Sequence, residues 1–202
     1  ASDMRVTMLE PVGKKQIRLY LEDERYCLLY AGEARRLGLK EDMDLSEVQK
    51  NELDSMLLSR AKLKAMNLLK VSDRTKEEIR MRLRRLELPE SCIEGAVSYV
   101  EGYHYIDDEA YVRNYIGYRG FSKSRLKLRQ ELLKKGISPE LFEQIWEESA
   151  VSESDILRTQ IKKRIRQKGP VTEENFQKNL AFFARKGFSI HDILEILKEY
   201  KE

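Results

Sequence analysis

Residues 119–138 read RGFSKSRLKLRQELLKKGIS. Leu128 and Leu132 are four residues apart, the spacing that places apolar side chains on one face of an α-helix. Gly136 follows two lysines, and helices commonly end at such a position because glycine adopts the left-handed cap conformation at the least cost. The lysines also favour the negative end of the helix dipole. The stretch therefore predicts a helix over 123–135 that ends at a glycine.

The same pattern occurs again on both sides, at a spacing of about fifty residues. A shift of 49 residues places Leu83 on Leu132, and a shift of 51 residues places Leu132 on Phe183. The second shift also places Gly136 on Gly187. This period is too long for the 34-residue tetratricopeptide unit, and HEAT units, which are nearer in length, have two helices and not three. The chain therefore contains a tandem repeat that belongs to neither of these two types.

Each copy of the repeat contains three helical segments separated by short breaks. The segments cover residues 53–70, 75–87 and 90–101, then 108–119, 123–135 and 139–149, and finally 153–167, 173–186 and 189–200. The sequence therefore predicts an all-α fold of three tandem three-helix units in an elongated array, with boundaries at 51–102, 103–150 and 151–202.

The first fifty residues differ from the rest of the chain. Two short runs rich in strand-forming residues, QIRLYL (16–21) and RYCLLY (25–30), lie on either side of the turn-like EDE. A short helix is predicted for GEARRLGL, and Asp44 or Ser46 is the candidate N-cap of the long helix that follows. These features predict a small β-hairpin and a short helix as an N-terminal extension over residues 1–50.

The composition excludes several classes of protein. Of 202 residues, 41% are hydrophobic and 36% are charged, which fits a helical protein with large solvated faces. No apolar run approaches the roughly 18 residues that a membrane span requires, so a soluble, intracellular protein is expected. The cysteine usage fits a reduced, cytoplasmic compartment, and a monomer is expected. Cys27 and Cys92 lack the spacing of a zinc site or a disulfide framework, and buried free thiols are the expected alternative.

No catalytic motif is present. His104 and His191 are isolated, and there is no HExxH, GxxxxGK[ST], GxGxxG or GxSxG pattern. The acidic residues 107–109 are better explained as the start of a helix, where they complement the dipole, than as a metal site. We therefore expect no enzymatic activity, catalytic residue, metal or cofactor.

Basic side chains are concentrated in three helical segments. Residues 74–85 hold six Lys or Arg against two acids, residues 119–135 seven against one, and residues 158–168 six against none. Such clustering suits contact with a phosphate backbone, although a solvated helix face is the better explanation of any single cluster taken alone. Stacked units would present clusters at corresponding places along one surface. The candidate DNA- or filament-binding residues are Arg82, Arg84, Arg85, Arg119, Lys123, Arg125, Lys127, Arg129, Lys162, Lys163, Arg166 and Lys168.

Aromatic residues carry two further expectations. Trp146 aligns with Val97 and Leu197, so we expect its indole to be buried within its own repeat. Six tyrosines crowd the junction of the first two repeats, and packing between helices is favoured over stacking on bases. These tyrosines are Tyr99, Tyr103, Tyr105, Tyr111, Tyr115 and Tyr118.

The second repeat resembles the RecX family of regulators. In that family a segment of the form gyl(D/N)D-x-x-(F/Y) opens the second repeat, and a basic turn containing glycine then leads into R-(I/L)-x-x-E-L-x-x-K-G-(I/V). The chain carries two additional residues between the Arg-Leu and Glu-Leu pairs of the second signature. The matching residues are Gly102, Tyr103, Asp107, Asp108 and Tyr111, followed by Gly120, Arg125, Leu126, Glu131, Leu132, Lys135, Gly136 and Ile137.

The resemblance covers about residues 53–200 and implies a regulatory function. Members of the family bind the RecA recombinase and its filament on DNA, and they restrain ATPase and strand-exchange activity in recombination, DNA repair and the SOS response. It implies RecA and non-specific single- and double-stranded DNA as partners. Two alternatives remain open from the residues alone: a general nucleic-acid-binding helical module, and a helical scaffold that recognises only protein.

Overall fold

A computed structural model describes residues 4–202, so the first three residues of the predicted extension lie outside the described residues. The chain divides after Asp107 into two compact units. The strands are β1 Val6–Val12, β2 Gln16–Leu21 and β3 Glu24–Tyr30. The helices are α1 Ala31–Arg36, α2 Glu47–Val71, α3 Lys76–Arg85, α4 Glu90–Gly102, α5 Asp108–Arg119, α6 Arg125–Lys134, α7 Pro139–Ser149, α8 Glu153–Lys168, α9 Phe176–Arg185 and α10 Ile190–Glu199.

The predicted fold class is confirmed. The nine predicted helical segments of the repeats correspond to α2–α10, and the predicted short helix corresponds to α1. α2 begins earlier than predicted because Ser46, one of the two candidate caps, accepts a hydrogen bond from the Gln49 amide at 3.1 Å. The boundaries of the three units stay a prediction, and α5–α10 lie together in the second compact unit.

The N-terminal sheet has one strand more than the predicted hairpin. Its three antiparallel strands are ordered β1-β2-β3. β2 and β3 form the hairpin, and they are joined by Glu22 and Asp23, whose φ angles of 50° and 64° suit a tight turn. β1 escaped prediction because Pro11 interrupts its pattern. An edge strand tolerates proline, because one side of the strand makes no sheet hydrogen bonds.

Close packing of α2 against α4 forms the core of the first unit. α2 buries Leu53, Leu57 and Ala61 at intervals of four residues. On α4, a Cβ atom at Gly95 would lie 2.8 Å from Cδ1 of Leu58. Small residues therefore let the two helices approach closely.

The second helices of the three repeats, α3, α6 and α9, begin and end at equivalent positions. Their N-cap residues are Thr75, Ser124 and Asn175. Each helix is followed, two residues after its last residue, by a residue with positive φ. These residues are Glu87, Gly136 and Gly187, with φ angles of 54°, 84° and 100°. The shifts of 49 and 51 residues therefore relate real structural positions.

Trp146 is the position at which the repeat pattern misleads. Aligned Val97 and Leu197 are 3% and 0% exposed, but Trp146 is only half-buried. It packs against the apolar clusters of both α5–α7 and α8–α10. The expectation that its indole is buried within its own repeat is wrong, because the ring lies at the boundary between the second and third repeats.

Gly187 and Ser124 join the second and third repeats. The Ser124 hydroxyl donates a hydrogen bond to the Lys186 carbonyl at 2.9 Å and accepts one from the Lys127 amide at 3.2 Å. A Cβ atom at Gly187 would lie 2.7 Å from the Ser124 hydroxyl oxygen. Gly187 is thus required both by its φ angle and by the closeness of its neighbour.

We predict that Gly187→Ala destabilises the protein by about 2–4 kcal/mol, because backbone strain and steric overlap add. The control is Gly38→Ala, where φ is +68° and nothing lies within 4 Å of the added methyl group. That change should cost only the strain, about 1–2 kcal/mol. The free energy of unfolding of both variants is measured by chemical denaturation. Equal losses would show that the contact between Gly187 and Ser124 tolerates the added methyl group.

Glu87 occupies the cap position that the other two repeats give to glycine, and it fastens the sheet to the first repeat. Its carboxylate accepts hydrogen bonds from Arg18 Nε at 2.7 Å and Nη2 at 3.0 Å, and it pairs with Arg25 at 3.2 Å. Its carbonyl accepts a hydrogen bond from the Leu28 amide at 3.3 Å. The hydrogen bonds from Arg18 hold the pKa of Glu87 below its usual range.

This contact should make stability depend on pH. A carboxyl group whose pKa is lowered in the folded state stabilises fully above its unfolded pKa of about 4.3, and that stabilisation is lost as the pH falls through the folded-state value. Glu87→Gln should therefore lower the free energy of unfolding at pH 7 and approach wild type below about pH 4. The matched control is Glu52→Gln, at an exposed position. A gap between Glu87→Gln and wild type that stays constant with pH would contradict this role.

Candidate nucleic-acid interface

The predicted cations divide into two groups. Five are held by neighbours in their own unit: Arg84, Arg119, Lys123, Arg125 and Arg129. The others are exposed and form no ion pair with any residue in 4–202: Arg82, Arg85, Lys127, Lys162, Lys163, Arg166 and Lys168. Only the second group is free to meet a phosphate without first breaking an internal contact.

In the first basic segment, acids of α3 and of the neighbouring α4 neutralise part of the cluster. Arg84 Nε lies 2.8 Å from Glu90 Oε1, and its Nη1 lies 3.2 Å from Glu77 Oε1. Arg80 Nε lies 2.8 Å from Glu94 Oε1. These acids lie on α3 itself and on α4. The composition of segment 74–85 therefore overstates the charge that is available.

Arg125 in the second segment connects α6 with α7 of the same repeat. It pairs with Glu143 of α7, and its guanidinium lies 5.6 Å from the ring centroid of Phe142 and 5.9 Å from that of Trp146. Arg129 also reaches Glu143, at 3.4 Å. The structural role that the family-like signature permitted for Arg125 is thus present in the fold.

Lys123 belongs to a second internal network, centred on Glu131. This carboxylate accepts a hydrogen bond from the Tyr115 hydroxyl at 2.6 Å and pairs with Lys123. Burial raises the pKa of Glu131, but the hydrogen bonds from Lys123 and Tyr115 outweigh burial and leave it lowered. Burial and the bond to Glu131 raise the pKa of Tyr115 to about 12. The Arg119 guanidinium lies over the Tyr115 ring, 4.3 Å from its centroid.

The third segment keeps the largest free charge. Its free cations, Lys162, Lys163, Arg166 and Lys168, lie on one helix, α8. This segment is the first helix of its repeat, whereas α3 and α6 are second helices. The expectation that the clusters occupy corresponding places is therefore wrong, because α9 uses its positions mainly for apolar contacts such as those of Phe183 and Leu180.

Sequence reasoning missed a cavity of about 180 Å³ beside α8. Its walls include Phe121 of the α5–α6 turn, Gln160 and Lys163 of α8, and Phe182 and Lys186 of α9 and its cap. Two signals pointed to it without locating it: a phenylalanine inside a basic turn, and a second cationic helix in the next repeat. Only the packing of these elements brings them together.

The tyrosines and histidines behave in different ways. Tyr115 is 8% exposed, as expected of interhelical packing, but Tyr103, Tyr105 and Tyr118 are 60%, 52% and 86% exposed. For these three the packing expectation is wrong. Among the described residues, one group of potential metal ligands lies within 4.8 Å: His191, Asp192 and Glu195 on the first turns of α10. All three are accounted for as a helix start with an i,i+4 pair, and no metal site is inferred.

Both cysteines are free and buried, as expected. Burial raises the pKa of Cys27 to about 12 and also raises that of Cys92, which disfavours the nucleophilic thiolate form of both. Across residues 4–202, no helix has the length and apolar character of a membrane span.

The fold and the site define a class of protein: tandem three-helix repeats that follow a small sheet in the chain, with free cations on α8. Family models for the first and second three-helix domains of RecX match residues 61–99 and 107–144, in that order. These matches support the assignment of the chain to the RecX family.

Individual relatives agree with this assignment. The regulatory protein RecX of Clostridium acetobutylicum is 25% identical over 96% of this chain and 95% of its own length. That of Salmonella paratyphi B is 26% identical over 69% of this chain and 90% of its own. A crystal structure of a regulatory protein RecX superposes with a TM-score of 0.59 and 20% identity, over 96% of this chain and 98% of that one. The crystal structure of RecX from Lactobacillus salivarius superposes with a TM-score of 0.61 and 22% identity, over 72% of this chain and 97% of that one.

The two groups of cations predict different mutant behaviour. Arg125→Ala removes a partly exposed ion pair and two ring contacts, so it should cost about 1–2 kcal/mol of stability and leave the salt dependence of DNA binding unchanged. The control on the same helix is Lys127→Ala, which should leave stability within about 0.5 kcal/mol. Thermal unfolding and a salt titration check both expectations. A shallower salt slope for Arg125→Ala at unchanged stability would place Arg125 on the DNA instead.

Proposed function

We propose that this chain is a non-enzymatic, cytoplasmic regulator that binds the RecA recombinase and its DNA filament and restrains ATPase and strand exchange. Membership of the RecX family supports a regulatory role. The observation that carries the DNA contact is the set of four exposed cations on α8 that form no ion pair with a described residue. The mechanism is occupancy of the filament, with no covalent step.

The charge arrangement supports sequence-independent binding. Each cation that meets a phosphate releases condensed counterions, which favours association with single- and double-stranded DNA alike. Lys127 of α6 belongs to the same compact unit as α8, and Arg82 and Arg85 offer free charge in the other unit. The recombinase then supplies the specificity that phosphate contacts lack.

The first test concerns the four free cations of α8. Replacing Lys162, Lys163, Arg166 and Lys168 by alanine should make the log–log salt slope for single-stranded DNA shallower by about 0.7 for each phosphate that the protein no longer neutralises. Thermal stability should change little because exposed charges contribute little to folding. The matched control removes four exposed lysines of the first unit: Lys14, Lys15, Lys40 and Lys70.

An ATPase assay with purified RecA on single-stranded DNA separates the competing functions. We expect the wild-type chain to inhibit ATP hydrolysis and the α8 variant to inhibit it less. Salt-dependent DNA binding without inhibition would identify a general nucleic-acid-binding module. Inhibition that persists unchanged in the α8 variant, with no measurable DNA binding by either chain, would favour a protein-only scaffold.

A further inference from the structure

The cavity beside α8 contains a polar group that its own fold leaves unsatisfied. Gln160 is 7% exposed, and neither Nε2 nor Oε1 of its side chain has a hydrogen-bond partner among residues 4–202. Buried amides without partners are costly and uncommon, and they call for a specific explanation. Gln160 lines the cavity. Both amide atoms are closed to solvent, so a ligand in the cavity recovers these hydrogen bonds when the Gln160 side chain turns toward it.

The hydrogen-bonding capacity of Gln160 limits the ligand. A side-chain amide offers an acceptor oxygen beside a nitrogen with two donors. Its partner should therefore present a donor next to an acceptor in one plane. The edge of a nucleobase has this arrangement, and glutamine is a familiar partner of base edges.

Phe121 provides an aromatic surface at the same cavity. It is 61% exposed and makes no ring contact with another aromatic residue in the described part of the chain. Phe182 is used differently: the Arg164 guanidinium lies 3.7 Å from its ring centroid and Lys186 Nζ lies 4.9 Å from it. Phe182 thus positions cations, whereas Phe121 is open for stacking.

Cations surround the cavity and continue beyond it. Lys163 and Lys186 are exposed residues of its wall. Arg166 of α8 is also exposed and lies about one turn beyond Lys163. A single acidic or amide side chain of a protein partner would use the cavity but not these cations. A nucleic-acid strand uses both, because phosphates recur along the backbone on either side of a base.

We propose that this cavity binds one unpaired base of single-stranded DNA, stacked on Phe121 and hydrogen-bonded to Gln160, with flanking phosphates at Lys163 and Lys186. A volume of about 180 Å³ is below the roughly 300–1,000 Å³ of pockets for drug-sized ligands and suits one planar ring system. In a duplex the pairing edge is occupied and both base faces are stacked, so only a single strand can enter. The inference rests on the proposed function and adds a base-contacting site to its phosphate contacts.

The test compares two fluorescein-labelled probes of equal length: oligodeoxythymidylate, and an abasic oligonucleotide that keeps the phosphates and lacks the bases. Fluorescence anisotropy should show that wild type prefers the thymidylate probe. Phe121→Ala should weaken thymidylate binding by between about 5-fold and about 100-fold, and abasic binding little. The matched control is Ile190→Ala, which truncates an apolar side chain in the same unit that is 53% exposed and does not line the cavity.

Gln160→Met gives the sharpest contrast. It keeps a side chain of similar length and removes the unsatisfied amide, so thermal stability should hold or rise while thymidylate binding falls at least several-fold. A structural glutamine would instead lose stability on substitution. Thymidylate binding equal to wild type in both cavity variants would overturn the base site, and so would an equal loss on both probes.

Failure of the base site and failure of the proposed function are distinguishable. If wild type inhibits RecA and both cavity variants bind thymidylate normally, only the base site is lost. If the variants lose the preference for bases but wild type leaves RecA ATPase unchanged, the base site stands and the recombinase role is lost. If RecA binds wild type and Gln160→Met differently in the absence of DNA, the cavity receives a protein side chain, and the base site is overturned.

Discussion

The second helix of each repeat has only ten residues, and an isolated helix of that length is marginal in water. In the first two repeats it persists because both of its ends are fixed and its apolar stripe meets two neighbouring helices. Thr75 and Ser124 satisfy backbone amides at the start, and a left-handed residue turns the chain at the end. The rest of each repeat depends on these two points, since they set the direction in which the third helix returns.

Where the repeats differ, the difference serves a joint. Gly187 allows the end of α9 to approach Ser124, so the cap of one repeat also contacts the next. Glu87 replaces glycine at the same place in the first repeat. It accepts a strained backbone, and its carboxylate fastens the sheet through Arg18. One structural position thus provides a turn in the second repeat, an inter-repeat joint in the third and an anchor in the first.

Internal pairing decides which charges can act outside the fold. Arg84 and Arg125 lie on basic helices, but each faces an acid on the next helix of its own repeat. α8 has no such neighbour for Lys162 or Arg166 among the described residues, and its free Lys163 lines the same cavity as an open aromatic and an unsatisfied amide. The functional asymmetry of the repeats therefore arises from where acids lie and not from the number of bases.

The sequence by itself determined the all-α repeat and the positions of its predicted helices, because helical spacing and cap residues are local signals that three copies reinforce. It did not determine β1, whose edge position tolerates Pro11, or the boundary packing of Trp146. It also could not separate braced cations such as Arg129 from free ones such as Lys163. Only the tertiary structure decided these, because ion pairing and burial depend on residues of other helices. The cavity at Gln160 was likewise decided by the tertiary structure, because the α5–α6 turn, α8 and α9 must meet before the Gln160 amide is buried.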